Sequence, residues 1–275
     1  MPSRFRRTAV DGIVRKTLRR AANQMGFVVS RQVEPERQRG LLAAVSPVGT
    51  EHPLIRIGGD ADGGYLIPDD LDGISACFSP GVSDQSSFEE ELLARGIRCF
   101  QVDGSVERSP VQANPLVEFE RKFLGPTTEG NFITLADWVG EKQIEGDLLL
   151  QMDIEGAEWL VLASTPDQLL ERFRIICVEF HGLEHVFEPF AFDLMEMVLL
   201  KLARQFEVVH IHPNNWCEVA AVSKRYRVPG VMEYTFLRKD RVKRKTGIGE
   251  LPHPLDRDCR PGAPAVQVPA SMLSK

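Results

Sequence analysis

The stretch GDLLLQMDIEGAEWLVL, residues 146–162, joins an apolar segment to a cluster of acids. Its leucines at positions 148–150 form a continuous apolar run, which is typical of a parallel strand buried on both faces. Three carboxylates follow within six positions: Asp153, Glu155 and Glu158. Glu155 and Glu158 suit the positive N-terminal end of a helix, whereas Asp153 comes at the strand end itself. We therefore predict a strand-to-helix junction at which Asp153 faces a ligand cleft.

Strand and helix patterns alternate on both sides of this junction, from about residue 41 to residue 240. The predicted strands cover residues 74–81, 97–105, 131–135, 147–156, 174–182, 206–215 and 232–239, the last as an edge strand. The predicted fold class is therefore α/β, with a mostly parallel seven-stranded sheet and helices on both faces. Ligands of such sheets bind outside the carboxyl ends of the strands, near the point where the strand order reverses.

The composition is that of an ordinary globular protein, since 43% of the 275 residues are hydrophobic and 26% are charged. The five cysteines are scattered and odd in number, which argues against a disulfide framework or a zinc ribbon. No apolar run has the roughly 20 residues that a membrane-spanning helix needs, and the N-terminus lacks the apolar segment of a signal peptide. We expect a cytoplasmic protein.

The charge is unevenly distributed along the chain. Residues 1–20 contain seven basic side chains and one acid, Asp11, so this segment carries +6 in a chain whose net charge is −6. We predict a basic, helical N-terminal arm at 1–40, a main domain at 41–240 and a Pro- and Gly-rich extended tail at 241–275. Peripheral contact of the arm with an anionic membrane is one expectation; a solvated helix or a nucleic-acid contact is the alternative.

The segment FSPGVSDQSSFEE, residues 78–90, predicts a glycine turn between a strand and a helix. Gly81 allows close approach of a ligand to the backbone, and Ser83, Asp84 and Ser86 are available as helix caps. The segment does not match G-x-G-x-x-G, which disfavours a dinucleotide. Asp103 ends the next strand 22 residues later, where an acid commonly accepts hydrogen bonds from ribose hydroxyls. The alternatives are a capped tight turn without a ligand and, for Asp103, an aspartate that caps the turn after its strand.

Histidines and acids also follow the later strands. Glu179 and His181 alternate on one strand, and His210 and His212 on the next, so each pair shares a face. With Asp153 they offer carboxylate and imidazole groups for a general base or a divalent cation. The candidate catalytic residues are Asp153, His181 and His212, and the candidate metal ligands are Asp153, Glu179 and His181. For each histidine, a hydrogen-bonded structural role is the alternative.

The glycine-rich segment RIGGDADGGYLIP, residues 56–68, precedes the first predicted strand. Its glycines and acids suit the turn of a β-hairpin. They equally suit a loop that folds over a ligand.

Several of these segments together resemble a known family. LLLQMDIEGAEWLVL is similar to the K-x-D-x-E-G-x-E motif of FkbM-type methyltransferases, which use S-adenosylmethionine, and ITLADWV resembles their T-L-D-D segment. The D-G-G-Y segment, HIHPNNW and VMEYTFLRK resemble a methyltransferase-like subgroup with DGGY and HxNN segments. The resemblance covers roughly residues 54–238 and implies a class I methyltransferase, Rossmann-like fold for the main domain.

The resemblance also implies a cofactor site for S-adenosyl-L-methionine. Gly81 and neighbouring amides would hold the methionyl part, Asp103 the ribose, and Asp153 would lie beside the sulfonium and the acceptor. The implied cofactor-binding residues are Ser79, Gly81, Ser83, Asp84, Phe88, Asp103, Asp153, Asp62 and Tyr65. The sequence departs from the family's acid-x-G-x-G motif, because Ser79 and Pro80 precede Gly81.

The implied activity is methyl transfer to a hydroxyl of a sugar, glycolipid precursor or secondary metabolite, with a divalent metal as a candidate second cofactor. One alternative is a protein that binds S-adenosylmethionine without transferring its methyl group. Another is a nucleic-acid methyltransferase. An N-P-P-Y-type tetrapeptide is absent from the sequence, and the acidic balance beyond residue 20 opposes phosphate binding.

Overall fold

The computed structural model describes residues 16–273, except 28, 30, 84, 217–218 and 221–226. Helix α1 is described over residues 16–24. The other α-helices are α2 (Pro35–Ala44), α3 (Ser87–Ala94), α4 (Leu135–Lys142), α5 (Glu158–Ser164), α6 (Asp167–Leu170) and α7 (Pro189–Gln205). The strands are β1 (Leu54–Ile57), β2 (Tyr65–Pro68), β3 (Ile74–Pro80), β4 (Arg98–Val102), β5 (Val117–Glu120), β6 (Phe123–Leu124), β7 (Phe132–Ile133), β8 (Asp147–Met152), β9 (Phe173–Phe180), β10 (Phe206–Pro213), β11 (Val219–Ala220), β12 (Val228–Pro229) and β13 (Met232–Arg238).

The central sheet has seven strands in the order β10-β13-β9-β8-β3-β4-β5. All of its strands run parallel except β13, which is antiparallel to both of its neighbours, β9 and β10. From β3 the chain moves outward through β4 and β5, and it then returns to β8 on the other side of β3. The strand order therefore reverses between β3 and β8. This arrangement confirms the predicted α/β fold class, a class I methyltransferase Rossmann-like fold.

Two of the predicted strands were placed wrongly. Residues 131–135 do not form the third sheet strand, because β7 pairs only with β6 there; the outer position belongs to β5. The acids of VEFE in β5 conceal it, because an edge strand need not be apolar throughout. The strand at 232–239 is not an edge strand but lies between β9 and β10. The polar residues that alternate along this strand lie inside the protein, because six of its seven residues are buried.

The core lies on both faces of the sheet. On one face, β3 and β8 pack against α2, α4, α5 and α7 through a cluster that includes Phe78, Trp138, Leu150, Leu162 and Leu199. On the other face, α3 and the β1–β2 hairpin cover the sheet through Ile57, Tyr65, Ile67, Phe88 and Leu92. Leu149 packs on this second face, between neighbours that pack on the first. The leucine run of β8 is thus buried on both sides.

The tail after residue 240 runs back over the domain. Thr246 pairs with Gly49 through backbone hydrogen bonds, and Cys259 and Met272 are buried. The Met272 carbonyl accepts a hydrogen bond from Ser46, which follows α2. None of the helices in the described part of the chain has the length and apolar character needed to cross a bilayer. Residues 1–15 of the predicted basic arm lie outside the described residues.

Candidate functional site

A cleft of about 410 Å³ opens at the carboxyl ends of β3, β4 and β8, where the strand order reverses. Its walls come from the loop of the β1–β2 hairpin, the turn after β3, the first turn of α3 and the ends of β4 and β8. The volume is within the range of small-molecule sites, and the position is the one where open parallel sheets bind ligands.

Most of the predicted cofactor residues line this cleft: Asp62, Tyr65, Gly81, Ser83, Phe88, Asp103 and Asp153. Asp84 lies outside the described residues. Ser79 is the exception, because its side chain is completely buried below the cleft. Its hydroxyl contacts the Glu89 carboxylate and lies 2.6 Å from Oε1 of Gln151. Ser79 still belongs to β3 and points under α3, so a direct cofactor contact by its side chain was wrongly predicted.

Gly81 lies where β3 and β8 come closest beneath the cleft. Its φ is +90°, and a Cβ atom built there would lie 1.6 Å from the carbonyl oxygen of Asp153. The Gly81 amide donates to the Val102 carbonyl, and the Asp153 amide donates to the Pro80 carbonyl. Only glycine satisfies both the backbone conformation and the space at this position.

Asp103 joins the end of β4 to the turn after β3. Its Oδ2 accepts a hydrogen bond of 2.8 Å from the Val82 amide, and its Oδ1 accepts one of 2.7 Å from the Ser105 amide. The alternative prediction of a turn-capping aspartate therefore describes part of its role. Oδ1 also accepts from the Ser105 hydroxyl, whereas Oδ2 keeps a second lone pair, so Asp103 can accept a further hydrogen bond from a ligand in the cleft that it lines.

Asp153 connects the cleft to a histidine. Its Oδ1 lies 4.0 Å from Nε2 of His181, which follows β9. Burial raises the pKa of Asp153 to about 7, with His181 opposing the shift and Glu155 and Glu158 adding to it. Two titratable groups with shifted pKa values at the rim of a ligand cleft are typical of a catalytic site.

Glu158 holds the other nitrogen of His181. The Glu158 side chain is completely buried, and its Oε1 lies 3.2 Å from Nδ1 of His181. The same oxygen accepts from the amides of Ile154 and Gly156, so the junction turn fixes its position. Burial lowers the pKa of His181, but the Glu158 carboxylate outweighs it and the net shift is upward. The sequence predicts the helix-terminal role of Glu158, but not its contact with His181.

Glu179 lies at the end of β9, beside Asp153 and His181. Its Oε1 accepts a hydrogen bond of 2.7 Å from Asn214, and this oxygen lies 4.0 Å from Nε2 of His181. Burial, with the nearby carboxylates of Asp153 and Glu233, raises the pKa of Glu179. One ligand atom from each of Asp153, Glu179 and His181 falls within 4.8 Å of the others. The fold thus brings together the three residues that the sequence suggests as metal ligands.

His212 is buried away from the cleft, and a catalytic role for it was wrongly predicted. It pairs in register with Glu233 on β13, which in turn pairs with Glu179 on β9. Its Nδ1 lies 3.5 Å from Asp256, and the same carboxylate lies 2.8 Å from Nε2 of His210. A tail residue therefore lies beside both histidines, and neither of them lines the cleft.

Other residues of the cleft wall were not predicted, including Gln85, Ser86, Glu89 and Gln151. Gln151 is the one polar residue inside the apolar strand β8, and its Nε2 donates to the Tyr65 hydroxyl. A polar side chain within an otherwise apolar buried strand was the available signal. Glu89 gave none, because an acid in the first turn of a helix is ordinary.

The glycine-rich segment at 56–68 combines both predicted structures. It forms the β1–β2 hairpin, and Asp62 and Gly63 in its loop line the cleft. The Arg56 guanidinium donates to the carbonyls of Gly59 and Ala61 and so closes the loop on itself. The Gly59 amide donates to the Ser87 hydroxyl, which fastens the loop to α3.

Residues 81–208, from the glycine turn into β10, match the model of the methyltransferase FkbM domain. This segment is a methyltransferase domain of the FkbM family. The FkbM domain contains the junction at Asp153, the histidine at 181 and two of the three strands at the cleft, while the hairpin lies before it. The protein is an S-adenosylmethionine-dependent methyltransferase, as the resemblance implies.

Two solved structures are similar to the chain that carries the FkbM domain. A TehB-like methyltransferase from Corynebacterium glutamicum has 10% identity and a TM-score of 0.32, with 84% of this chain and 98% of that chain covered. The 1,6-didemethyltoxoflavin-N1-methyltransferase of Burkholderia thailandensis, solved with its acceptor and S-adenosylhomocysteine, has 12% identity and a TM-score of 0.29, with 60% and 72% covered. No curated protein matches the sequence.

Proposed function

We propose that the protein transfers the methyl group of S-adenosylmethionine to a hydroxyl of a sugar, a glycolipid precursor or a secondary metabolite. The position of Asp153 carries this proposal. Its side chain lines the cleft and also lies 4.0 Å from His181, so a cofactor site and a proton acceptor meet at one residue. Such an arrangement suits transfer to an oxygen, because the hydroxyl must lose its proton.

The cleft offers groups for the methionyl and ribose parts of the cofactor. In this proposal the turn after Gly81 holds the methionyl carboxylate, and Asp103 accepts a hydrogen bond from the ribose. Tyr65 and Phe88 add aromatic wall, with ring centroids 5.7 Å apart. The methyl group would then lie near Asp153, at the side of the cleft that faces β9.

The transfer itself needs alignment more than covalent help, because the thioether is a good leaving group. The acceptor oxygen attacks the methyl carbon, the carbon–sulfur bond breaks, and its electron pair stays on sulfur. The hydroxyl proton passes to Nε2 of His181 or to Asp153. Alternatively, a divalent cation at Asp153, Glu179 and His181 lowers the pKa of the hydroxyl.

An exposed tryptophan supports a ring-shaped acceptor. Trp216 is 58% exposed, whereas Trp138 and Trp159 are buried. Its amide donates to Asn214, which donates to Glu179, so Trp216 follows β10 at the same edge as the acids. The Arg260 guanidinium packs 4.8 Å from the ring centroid. An aromatic face among polar groups suits the apolar face and hydroxyl edge of a sugar ring.

Calorimetric titration with S-adenosylmethionine and S-adenosylhomocysteine tests the cofactor site. We expect both ligands to bind the wild-type protein, and Asp103→Ala to weaken both by about tenfold or more, since it removes charge-assisted hydrogen bonds. Glu107→Ala is the control, because this carboxylate is 84% exposed and paired with Arg121. Methyl transfer to a panel of methyl glycosides then tests the acceptor class.

Absence of binding to folded wild-type protein would overturn the cofactor site. Binding without transfer to any hydroxyl acceptor would instead favour a protein that has kept the cofactor site but lost catalysis. The thermal unfolding of Asp103→Ala is measured alongside, because Asp103 also ties two turns together.

We also propose that the enzyme is cytoplasmic and contacts anionic membranes through its basic arm. In the described part of the arm, Leu18, Met25 and Phe27 are each more than 60% exposed, next to basic residues at 16, 19 and 20. Leu18 and the basic residues lie on α1, and Met25 and Phe27 follow its C-terminal end; apolar and basic side chains grouped in one short segment are typical of an interfacial anchor.

Cosedimentation with phosphatidylcholine vesicles, with and without phosphatidylserine, tests the arm. We expect binding only to the anionic vesicles, and we expect Leu18→Asp combined with Met25→Asp to abolish it. Asn23→Asp combined with Gln24→Asp adds the same charge but leaves the apolar residues in place. Equal loss of binding in both double variants would show that charge alone is responsible.

A further inference from the structure

We infer that Asp153, Glu179 and His181 form a binding site for a divalent cation that takes carboxylate and imidazole ligands, such as Mn²⁺ or Mg²⁺. The inference deepens the proposed function and rests on it for the role of the cation. The three residues come from neighbouring strand ends, because β8 and β9 run parallel and finish at the same edge of the sheet.

The distances suit a cation of this size. Two ligand atoms that each lie about 2.1 Å from a cation can be at most about 4.2 Å apart. Nε2 of His181 lies 4.0 Å from Oδ1 of Asp153 and 4.0 Å from Oε1 of Glu179, and one ligand atom from each of the three residues lies within 4.8 Å of the others, so a side-chain shift of a few tenths of an ångström completes the set. Two carboxylates and one imidazole are ligands that Mn²⁺ and Mg²⁺ sites use, with the remaining positions open to water or substrate.

Unpartnered oxygens are an independent indication of a ligand. Within the described chain, Oε2 of Glu179 and Oδ1 of Asp153 are buried atoms that have no hydrogen-bond partner. The Glu179 side chain is only 4% exposed. No lysine or arginine of the described residues forms an ion pair with either carboxylate. Two buried acids side by side repel each other when ionised, and a divalent cation would neutralise both.

The residues around the three ligands hold them in a suitable orientation. Glu158 accepts from Nδ1 of His181, which fixes the tautomer whose Nε2 lone pair is free to bind a cation. Asn214 donates to Oε1 of Glu179, the oxygen 4.0 Å from His181, which fixes the carboxylate beside the histidine and leaves Oε2 without a partner. His181 is also anchored through its carbonyl, which accepts from the Trp159 indole. We assign Glu158 and Asn214 as positioning residues of this site.

The cation would face the cleft through Asp153, which is the ligand that also lines it. An acceptor hydroxyl that binds the cation becomes more acidic, and its proton leaves to water. The oxygen then attacks the methyl carbon, and the electron pair of the breaking bond stays on sulfur. In this arrangement His181 serves as a ligand, and no protein base is required.

Manganese titration followed by electron paramagnetic resonance tests the site without any activity assay. The full chain is treated with chelator, desalted and titrated with MnCl2, and the signal of free Mn²⁺ is recorded. We expect one bound Mn²⁺ per chain, and we expect Glu179→Gln and Asp153→Asn each to weaken its binding by at least about tenfold. Glu233→Gln is the matched control, because this buried carboxylate lies opposite Glu179 on β13 but outside the three ligands.

Wild-type protein that leaves the free Mn²⁺ signal unchanged would overturn the site, and so would full-affinity binding by both ligand variants. Circular dichroism shows that each variant is folded, and either ligand variant is sufficient if the other unfolds. Cofactor calorimetry separates the two proposals. A protein that binds S-adenosylmethionine but not Mn²⁺ loses only the cation site, and one that binds Mn²⁺ but neither cofactor form loses the proposed transfer.

Discussion

At Gly81 the backbones of two neighbouring strands approach so closely that a side chain has no space. The position has a φ of +90°, and a Cβ would overlap the Asp153 carbonyl. The tight contact keeps the turn after β3 and the end of β8 together as one cleft floor. A single residue type therefore links the stability of the sheet to the shape of the ligand site.

We expect Gly81→Ala to lower the free energy of unfolding by more than the roughly 1–2 kcal/mol that a left-handed conformation costs an L-residue, because the overlap adds to it. Gly130→Ala is the control: its φ is +59°, and a Cβ there meets nothing within 4 Å. Urea denaturation measures both variants. If both variants lost the same free energy of unfolding, the backbone beside Asp153 would be able to move away from the added methyl group at little cost.

Residues at the ends of strands were the easiest to predict at the site. Gly81, Asp103 and Asp153 each come at a strand end, so pattern alone places them at one edge. The contact between Glu158 and His181 spans 23 positions, and it depends on how β9 follows α5. His212 has the alternation of a site residue, yet a tail carboxylate 44 positions later covers it. Contacts of this kind depend on tertiary packing, which the alternation of polar and apolar residues along a strand does not predict.

Among the elements, β3 carries the centre of the core. Phe78 on β3 is completely buried, stacks on Phe100 and meets Trp138 edge to face. Phe100 lies on the neighbouring strand β4, and Trp138 on α4, so one ring joins three elements. The switch point of the sheet rests directly on this cluster.

We expect Phe78→Ala to reduce the free energy of unfolding by about 3–5 kcal/mol, because it removes a buried ring and leaves a cavity. Ser75→Ala on the exposed position of the same strand should change it by less than about 0.5 kcal/mol. Chemical denaturation followed by circular dichroism measures both. A loss below about 1 kcal/mol for Phe78→Ala would mean that the surrounding rings collapse into the space.

Strands with strongly apolar sequences were predicted well, and strands whose sequences contain several polar residues were not. The leucines of β8 indicate a strand whose two faces are both covered, which is how the sheet uses it. The acids of β5 hide a strand, because its outer edge faces no other strand. The polar residues Glu233 and Thr235 on β13 suggest an edge strand. In the structure they lie opposite Glu179 and Cys177 on β9, beneath the β1–β2 hairpin.

At the scale of the whole molecule, the tail fastens the far end of the sheet. Asp256 is almost completely buried and contacts His210 and His212 on β10. Burial opposes its ionisation, but the hydrogen bond with His210 and the His212 ring 3.5 Å away outweigh this and hold the pKa of Asp256 well below its ordinary value. Burial likewise opposes protonation of His212, yet Asp256 and Glu233 raise its pKa.

These shifts predict how Asp256→Asn changes stability with pH. A depressed Asp pKa contributes stability above about pH 4 that is lost as the pH falls, and a raised His pKa contributes stability below about pH 6.5 that is lost as the pH rises. We therefore expect the variant to be less stable by about 1.5–3 kcal/mol between about pH 5 and 6. The difference should shrink on both sides of this window.

Thermal and urea unfolding across the pH range measure this difference. Glu250→Gln is the control, since this acid is exposed in the same tail. A difference that stays constant with pH would show that Asp256 acts through packing alone.

The Pro and Gly content of the tail predicts an extended path, but it does not reveal Asp256, because the histidine partners lie more than 40 positions earlier. The segment limits at 40 and 240 stay predictions.

The hairpin loop at residues 58–64 closes on itself through Arg56 and touches α3 through one hydroxyl. It supplies a wall of the ligand cleft, yet it contributes no strand to the central sheet. Surface loops of this kind tolerate changes in length at small entropic cost. We therefore expect changes within these seven surface residues to alter the size of the pocket without any redesign of the fold.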